Sequence, residues 1–137
     1  MLSFAARAQD TRVVTEPVFP PPCAVLRARL TAVGGGRTIA AADENRPDTR
    51  RIQEGIDRCA SGHAVELEPE GSKGAFLSGP IELRNGVTLR IDRGAILFGS
   101  RNPRDYDTSP GACGVLSASG HGCKALINAD HVTGAGV

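Results

Sequence analysis

The sequence predicts a mainly β-structured protein with one amphipathic helix in its amino-terminal half. Glycine and proline are frequent, at 17 and 9 of 137 residues, which favours many turns. Aromatic residues make up only 4% of the chain, so we expect a core of small aliphatic side chains. After residue 62, short segments of alternating apolar and polar residues recur between turns, a pattern typical of strands.

The composition also excludes several classes of function. Charged residues make up 23% and apolar residues 40% of the chain, a balance typical of a folded, water-soluble protein. The formal net charge of +1 is spread over both halves, so we expect no nucleic-acid partner. No apolar run approaches the roughly 18 residues of a membrane helix, and we expect no membrane partner.

Residues 1–22 are predicted to be a leader and linker, and residues 23–137 the folded domain. The first part lacks a hydrophobic period and ends in the consecutive prolines Pro20, Pro21 and Pro22. The sequence Ala6-Arg7-Ala8 has the small-x-small pattern of a cleavage site, although little of an apolar segment precedes it. Together these features favour a secreted or periplasmic protein.

The first strand is predicted in residues 24–32. Alanine and leucine alternate there with Val25, Arg27, Arg29 and Thr31, so that the apolar side chains share one face. Leucine spacing in the same segment also fits a helix. The three glycines at residues 34–36 end either element.

One helix follows. Asp48 is expected to cap it by accepting hydrogen bonds from amides of the first turn, and Ile52, Ile56 and Cys59 form one apolar stripe. Gly62 is the expected residue just past the helix end. The charged side chains on the helix are expected in solvent; they are Arg51, Glu54, Asp57 and Arg58.

Short strands are predicted after residue 62, with Val65 and Leu67 facing inward and Glu66 and Glu68 outward. Further strands are expected at residues 76–77, 81–83, 87–91, 95–98 and 125–127, with Val87, Leu89 and Ile91 facing inward. The Asn85-Gly86 turn would suit a hairpin. The periodicity alone is compatible with either a β-sandwich or a β-solenoid.

Four segments, in this order, resemble the amino-terminal portion of polygalacturonase-type pectinases, glycoside hydrolase family 28. They are residues 48–57 (DTRRIQEGID), 76–83 (FLSGPIEL), 86–89 (GVTL) and 99–106 (GSRNPRDY). The resemblance implies a right-handed parallel β-helix of the pectin lyase type, with residues 23–137 as its cap and first coils. It also implies export and inverting hydrolysis of α-1,4-galacturonan by clustered aspartates, without a metal or cofactor.

The resemblance also implies a role for the predicted helix. The first coil of a β-helix exposes the end of its apolar core and an unpaired strand edge. Asp48, Ile52 and Ile56 are therefore predicted to belong to a helical cap that covers this end, with Cys59 beside them.

No catalytic residue is expected in this chain. In this family the acid and base come from an Asn-Thr-Asp segment and an Asp-Asp pair, followed by Gly-His-Gly and an Arg-x-Lys segment that binds the uronate carboxylate. Only Gly120-His121-Gly122 is present. Because it precedes residues 125–136, which resemble an early strand of the family, its place in the order is wrong, and we expect a flexible turn.

Asp105 and Asp107 form a close carboxylate pair. On an extended segment they would lie about 7 Å apart, within the range of an inverting glycosidase. They follow Pro103 in a polar stretch that resembles a surface loop of the family, so a solvated turn is the preferred interpretation.

The four cysteines are expected to form two disulfides, Cys113 with Cys123 and Cys23 with Cys59. The first would close a short loop and the second would tie the early strand to the helix. Cys59 could instead be a buried free thiol. A zinc site of Cys113, His121, Cys123 and His131 is the alternative, but its spacing fits no known finger, and we expect no metal.

The sequence is therefore interpreted as an amino-terminal fragment of a secreted hydrolase that degrades the polysaccharide pectin. Three or four coils of roughly 20–30 residues would fit. The complete protein is expected to be a monomer, whereas the isolated chain is expected to be inactive and prone to aggregate. The alternative is a non-catalytic β-helical module for carbohydrate binding or adhesion.

Overall fold

The computed structural model describes residues 12–116 and 120–137. Residues 6–8, the expected cleavage site, lie outside the described residues. The described part has one α-helix, α1 (Thr49–Arg58). Its strands are β1 (Pro22–Arg27), β2 (Ala32–Val33), β3 (Thr38–Ile39), β4 (His63–Glu68), β5 (Ala75–Ser78), β6 (Ile81–Glu82), β7 (Val87–Ile91), β8 (Ile96–Gly99) and β9 (Ile127–Asn128).

Three parallel sheets relate each turn of the chain to the next. Strands β4, β5 and β6 pair, in the same order, with β7, β8 and β9. Strand β1 extends the first sheet on the other side of β4. Because consecutive strands lie in different sheets and find their partners one turn later, the chain winds as a solenoid. The expected parallel β-helix is confirmed, and the sandwich alternative is wrong.

Asn85 and Gly86 join successive coils and do not form a hairpin between β6 and β7. Gly86 has a φ of +69°, a conformation that glycine adopts without strain. The Asn85 side-chain oxygen accepts a hydrogen bond from the Thr133 amide at 2.9 Å, and the Gly86 amide donates to the Thr133 carbonyl at 2.9 Å. The turn is therefore held by the coil that follows it.

The apolar core lies inside these coils in two clusters. The larger cluster consists of Ala28, Ile52, Ile56, Val65, Leu67, Phe76, Ile81, Leu83, Val87 and Leu89. The smaller one consists of Leu30, Ile39, Ala75 and Leu77. Of the side chains expected to face inward, Ile91 is an exception, because it ends its strand and keeps 38% of its surface exposed.

The predicted strand at residues 24–32 is only partly right. Its apolar face is correct, since Ala28 and Leu30 are buried, and the helical alternative is wrong. Strand β1 nevertheless ends at Arg27, because the chain turns a corner of the solenoid there. The Ala28 amide still donates to the Glu68 carbonyl of the first sheet, whereas the Leu30 carbonyl accepts from Ala75 of the second.

Helix α1 covers the amino-terminal end of the core, with Ile52 and Ile56 fully buried. Three details differ from expectation. The Asp48 carboxylate makes no capping bond and instead accepts from the Arg51 guanidinium at 2.6 Å. Arg51 is consequently only 22% exposed and not in open solvent. The helix ends at Arg58, so Gly62 belongs to the next turn, where its amide donates to Gly86.

Polar groups at the start of the helix also satisfy the exposed edge of the first coil. The Asp48 amide donates to the Leu77 carbonyl at 2.6 Å, and the Gly79 amide donates to Thr49 Oγ1 at 2.8 Å. The Gln53 side-chain amide forms two bonds with the Glu82 backbone, each 2.9 Å long. These groups replace the strand that would otherwise lie beside β5 and β6.

The described residues form two complete coils and the start of another, in which Gly136 pairs with Thr88. Counted along the first sheet, β1, β4, β7 and the bridge of Gly136 make four layers, of which two continue through all three sheets. Between β8 and β9 lies an insertion, the disulfide loop, whose described residues 100–116 and 120–126 belong to no strand of the three sheets. No helix in the described part is both long and apolar enough to cross a membrane.

Candidate functional site

The disulfide loop contains both sequence features that could have suggested catalysis, the carboxylate pair and the Gly-His-Gly tripeptide. Asp105 lies in a 3₁₀ turn over Pro103–Tyr106. Its carboxylate accepts hydrogen bonds from Ser100 Oγ and from Asn102 Nδ2, the latter at 3.0 Å. Asp105 therefore stabilises the start of the loop.

Both carboxylate oxygens of Asp107 are bonded to backbone amides of the loop. One carboxylate oxygen accepts from the Cys113 amide at 2.7 Å and the other from the Gly111 amide at 2.8 Å. The Cys113 N–H, together with Gly111 and the Arg104 guanidinium, holds the pKa of Asp107 below its ordinary value. A carboxylate whose two oxygens both accept backbone N–H bonds is stabilised in its ionised form, so Asp107 is unsuited to be the protonated acid of a glycosidase.

Tyr106 connects this turn to the solenoid, which makes the segment more than a solvated turn. Its hydroxyl lies 3.5 Å from the Ser78 carbonyl of β5. Burial, with a smaller contribution from Asp105, raises the pKa of the Tyr106 hydroxyl. Gly99 leaves room for this ring, because a Cβ there would lie 2.9 Å from the Tyr106 hydroxyl.

Gly120-His121-Gly122 is part of the same loop. The backbone carbonyl of His121 accepts a hydrogen bond from Thr108 Oγ1 at 3.0 Å. The His121 side chain is exposed. A Cβ at Gly122 would lie 2.3 Å from the Ala112 carbonyl oxygen, so this glycine is required for close packing. His121 borders a hollow of about 450 Å³. Among the described residues, the lining of this hollow contains no carboxylate; it consists of Thr108, Ser109, Pro110, Gly111, Ala112, Val115, His121 and Gly122.

Both disulfides join the pairs expected from the sequence. Cys113 and Cys123 close the loop, with their Cα atoms 4.5 Å apart. Cys23 and Cys59 join β1 to the end of α1, with a Cα separation of 5.6 Å. Sulfur atoms bonded to each other cannot act as thiolate ligands, so the zinc alternative and the free thiol at Cys59 are both wrong. Residues 12–116 and 120–137 hold no group of three or more metal-ligating side chains.

A further carboxylate, Glu66, lies on the outer face of the first sheet. It was expected to point into solvent, but it is only 6% exposed. Arg90, its neighbour on β7, donates to it at 2.6 Å, and the Phe19 ring covers that guanidinium at 4.9 Å. Glu66 is thus a buried partner in an ion pair, and Phe19, shortly before β1, contacts the Arg90 of that pair.

Sequence reasoning missed Thr49 and Gln53, the polar residues that complete the helical cap. Their signal was present: they lie four residues apart beside the apolar stripe of Ile52 and Ile56. That spacing places both on one side of a helix, facing the edge of the sheet. The cap was expected to cover an unpaired strand edge, but nothing in the sequence showed which side chains would bond to that edge.

Comparisons with known proteins agree with this fold. The chain is 42% identical to a polygalacturonase of Ralstonia solanacearum and 36% identical to an endo-polygalacturonase of Pectobacterium carotovorum subsp. carotovorum, with 99% and 100% of the chain aligned. The solved structure of a polygalacturonase from Erwinia carotovora ssp. carotovora matches with a TM-score of 0.72 and 34% identity over 93% of the chain. No protein-family model matches the chain.

The chain spans 28% and 30% of the length of these two relatives and 31% of the solved structure. Such coverage is consistent with the amino-terminal portion that the sequence motifs indicated. The resemblance is therefore confirmed: the chain is a relative of the polygalacturonases, and it corresponds to a capped portion of their parallel β-helix.

Proposed function

We propose that this chain is the amino-terminal portion of a secreted glycoside hydrolase that cleaves galacturonan with inversion of configuration. The observation that carries the proposal is the alignment of nearly the whole chain with polygalacturonases, at 36–42% identity, in a matching fold. Two disulfides support export, because such bonds persist in oxidising compartments.

Within that enzyme, this portion would stabilise the end of the solenoid, and its residues would not act as the catalytic acid or base. An inverting enzyme needs one protonated carboxyl and one carboxylate roughly 6.5–9.5 Å apart, with space for a water molecule between them. Asp105 and Asp107 are both committed to bonds within the disulfide loop. The acid and base would then belong to coils outside these 137 residues, stacked on those described.

A longer polypeptide, read from the gene beyond Val137, tests the proposal. We expect it to release reducing ends from polygalacturonate, and the first product seen by proton NMR to have the β configuration at the new reducing end. Retention of the α configuration would contradict the inverting mechanism. A longer polypeptide that binds polygalacturonate without releasing reducing ends would favour the alternative, a non-catalytic carbohydrate-binding module.

A further inference from the structure

Most cations in the described part of the chain have a carboxylate partner within 4.0 Å. These paired residues are Arg27, Arg46, Arg51, Arg58, Arg84, Arg90, Arg101, Arg104 and Lys124. Five others have no such partner among residues 12–116 and 120–137. They are Arg29, Arg37, Arg50, Lys73 and Arg93, all exposed.

Three of these five lie at one corner of the solenoid, on successive layers. Arg29 lies between Ala28, whose amide bonds to β4, and Leu30, whose carbonyl bonds to β5. Arg29 therefore lies in the layer next to the turn that joins β4 to β5. Lys73 closes that turn through two backbone bonds to Glu70, of 2.8 and 2.9 Å.

Arg93 occupies the equivalent turn one coil later, between β7 and β8. The two turns are in direct contact, because a Cβ at Gly74 would lie 2.5 Å from the Gly94 carbonyl oxygen. The Gly74 carbonyl also accepts from the Ile96 amide at 2.8 Å. Lys73 and Arg93 each immediately precede one of these glycines, so they lie on adjacent layers, about 4.8 Å apart along the axis.

A fourth unpaired cation, Arg37, flanks the same corner. It lies in the hairpin of β2 and β3, where a Cβ at Gly36 would be 3.6 Å from the Ile96 side chain. The nearby carboxylates already have cationic partners: Glu68 and Glu70 share Arg27, and Asp92 shares Arg90 with Glu66. These acidic side chains therefore leave the corner cations without an internal partner.

We propose that Arg29, Lys73 and Arg93, the cationic corner, form a non-catalytic binding surface for a polyuronate chain. This inference rests on the proposed function, since the enzyme's substrate would be such a polymer. Each exposed ion pair is weak alone, but a polymer with a carboxylate on every sugar engages successive layers together. Such binding weakens as salt rises and requires free carboxylates.

The test compares the chain with two variants of equal net charge, each tethered at low density to a sensor surface so that chains cannot associate. The corner variant carries Arg29→Gln, Lys73→Gln and Arg93→Gln. The control carries Arg50→Gln, Arg58→Gln and Lys124→Gln, which lie outside the corner. Polygalacturonate, fully methyl-esterified pectin and single-stranded DNA are passed over each surface, and peptide mapping verifies that both disulfides are retained.

We expect the corner variant to bind polygalacturonate about ten-fold more weakly, and the control to change binding by less than about three-fold. Methyl-esterified pectin should bind weakly to all three. Equal losses in both variants, or DNA binding as strong as polygalacturonate binding, would overturn the proposal. Failure of the proposed hydrolase function would appear separately, as no bond cleavage by the longer polypeptide, because this binding needs no cleavage.

Discussion

Gln53 shows how a single side chain can take the place of a strand. Its amide both donates to and accepts from the Glu82 backbone, as a neighbouring strand would. We expect Gln53→Leu to lower the free energy of unfolding by about 1–2 kcal/mol, because it leaves two backbone groups unpaired. Hydrogen exchange at sub-micromolar concentration measures this directly, and the Glu82 amide should lose protection first.

Two further variants sharpen the Gln53 prediction. Gln53→Glu keeps an acceptor for the Glu82 amide but places a carboxylate oxygen against the Glu82 carbonyl, so its effect should resemble that of leucine. Glu54→Leu, on the exposed side of the helix, should change stability by less than about 0.5 kcal/mol. Unchanged protection of the Glu82 amide in Gln53→Leu would contradict the role assigned to the Gln53 side chain.

Asp107 provides a pH-dependent contact in the disulfide loop. Its pKa is lower in the folded chain than in the unfolded chain, mainly because of the Cys113 amide. Its stabilisation is therefore complete above the unfolded value, near 4, and is lost as the pH falls through the lower, folded value. The Gly111 and Cys113 amide resonances should titrate together in that acidic range. Their titration at or above pH 4 would contradict this role.

At the scale of elements, helix α1 determines whether the first coil is stable. Ile56 lies on the buried face of this helix, where its side chain packs fully buried among the core side chains. Replacing Ile56 with Asp puts a carboxylate into this core and should lower the free energy of unfolding by about 4 kcal/mol or more. Glu54→Asp places the same residue type on the exposed side of the helix and should cost less than about 0.5 kcal/mol. Comparable losses in the two variants would show that the helix is not a cap.

The elements also show what could be predicted from the sequence and what could not. Alternation and turn residues located most strands, and the stripe of Ile52 and Ile56 located the helix. Patterns along the chain do not, however, report contacts between distant segments. The Asp48 carboxylate has two possible partners, the amides of its own helix and Arg51, and in the structure it binds Arg51 and makes no capping bond.

The disulfide loop illustrates the same limit. Its turns and its cysteine pair could be inferred from residue types and order. Its position outside the ladders could not, because the segment before β9 is as rich in turn residues as the coils themselves.

At the scale of the whole molecule, a polypeptide made to end at Val137 should self-associate. In the described part, β8 and β9 have no partner on the side opposite β5 and β6, and Ile91 and Ile96 are each 38% exposed. Unpaired strand edges beside apolar side chains promote association. Sedimentation velocity should detect oligomers whose size increases with concentration. A monomer with a sharp, reversible thermal transition would contradict this prediction and favour a self-contained binding domain.

The central claim is that this portion of a polygalacturonase-like protein caps the solenoid and supplies no catalytic carboxylate. Release of reducing ends from polygalacturonate by the 137-residue polypeptide, compared with its His121→Ala variant and with the longer polypeptide, tests it most directly. The account predicts the uncatalysed rate for both 137-residue forms and rapid release only by the longer polypeptide. Measurable release by the 137-residue chain, abolished by His121→Ala, would contradict it and place catalysis in the disulfide loop.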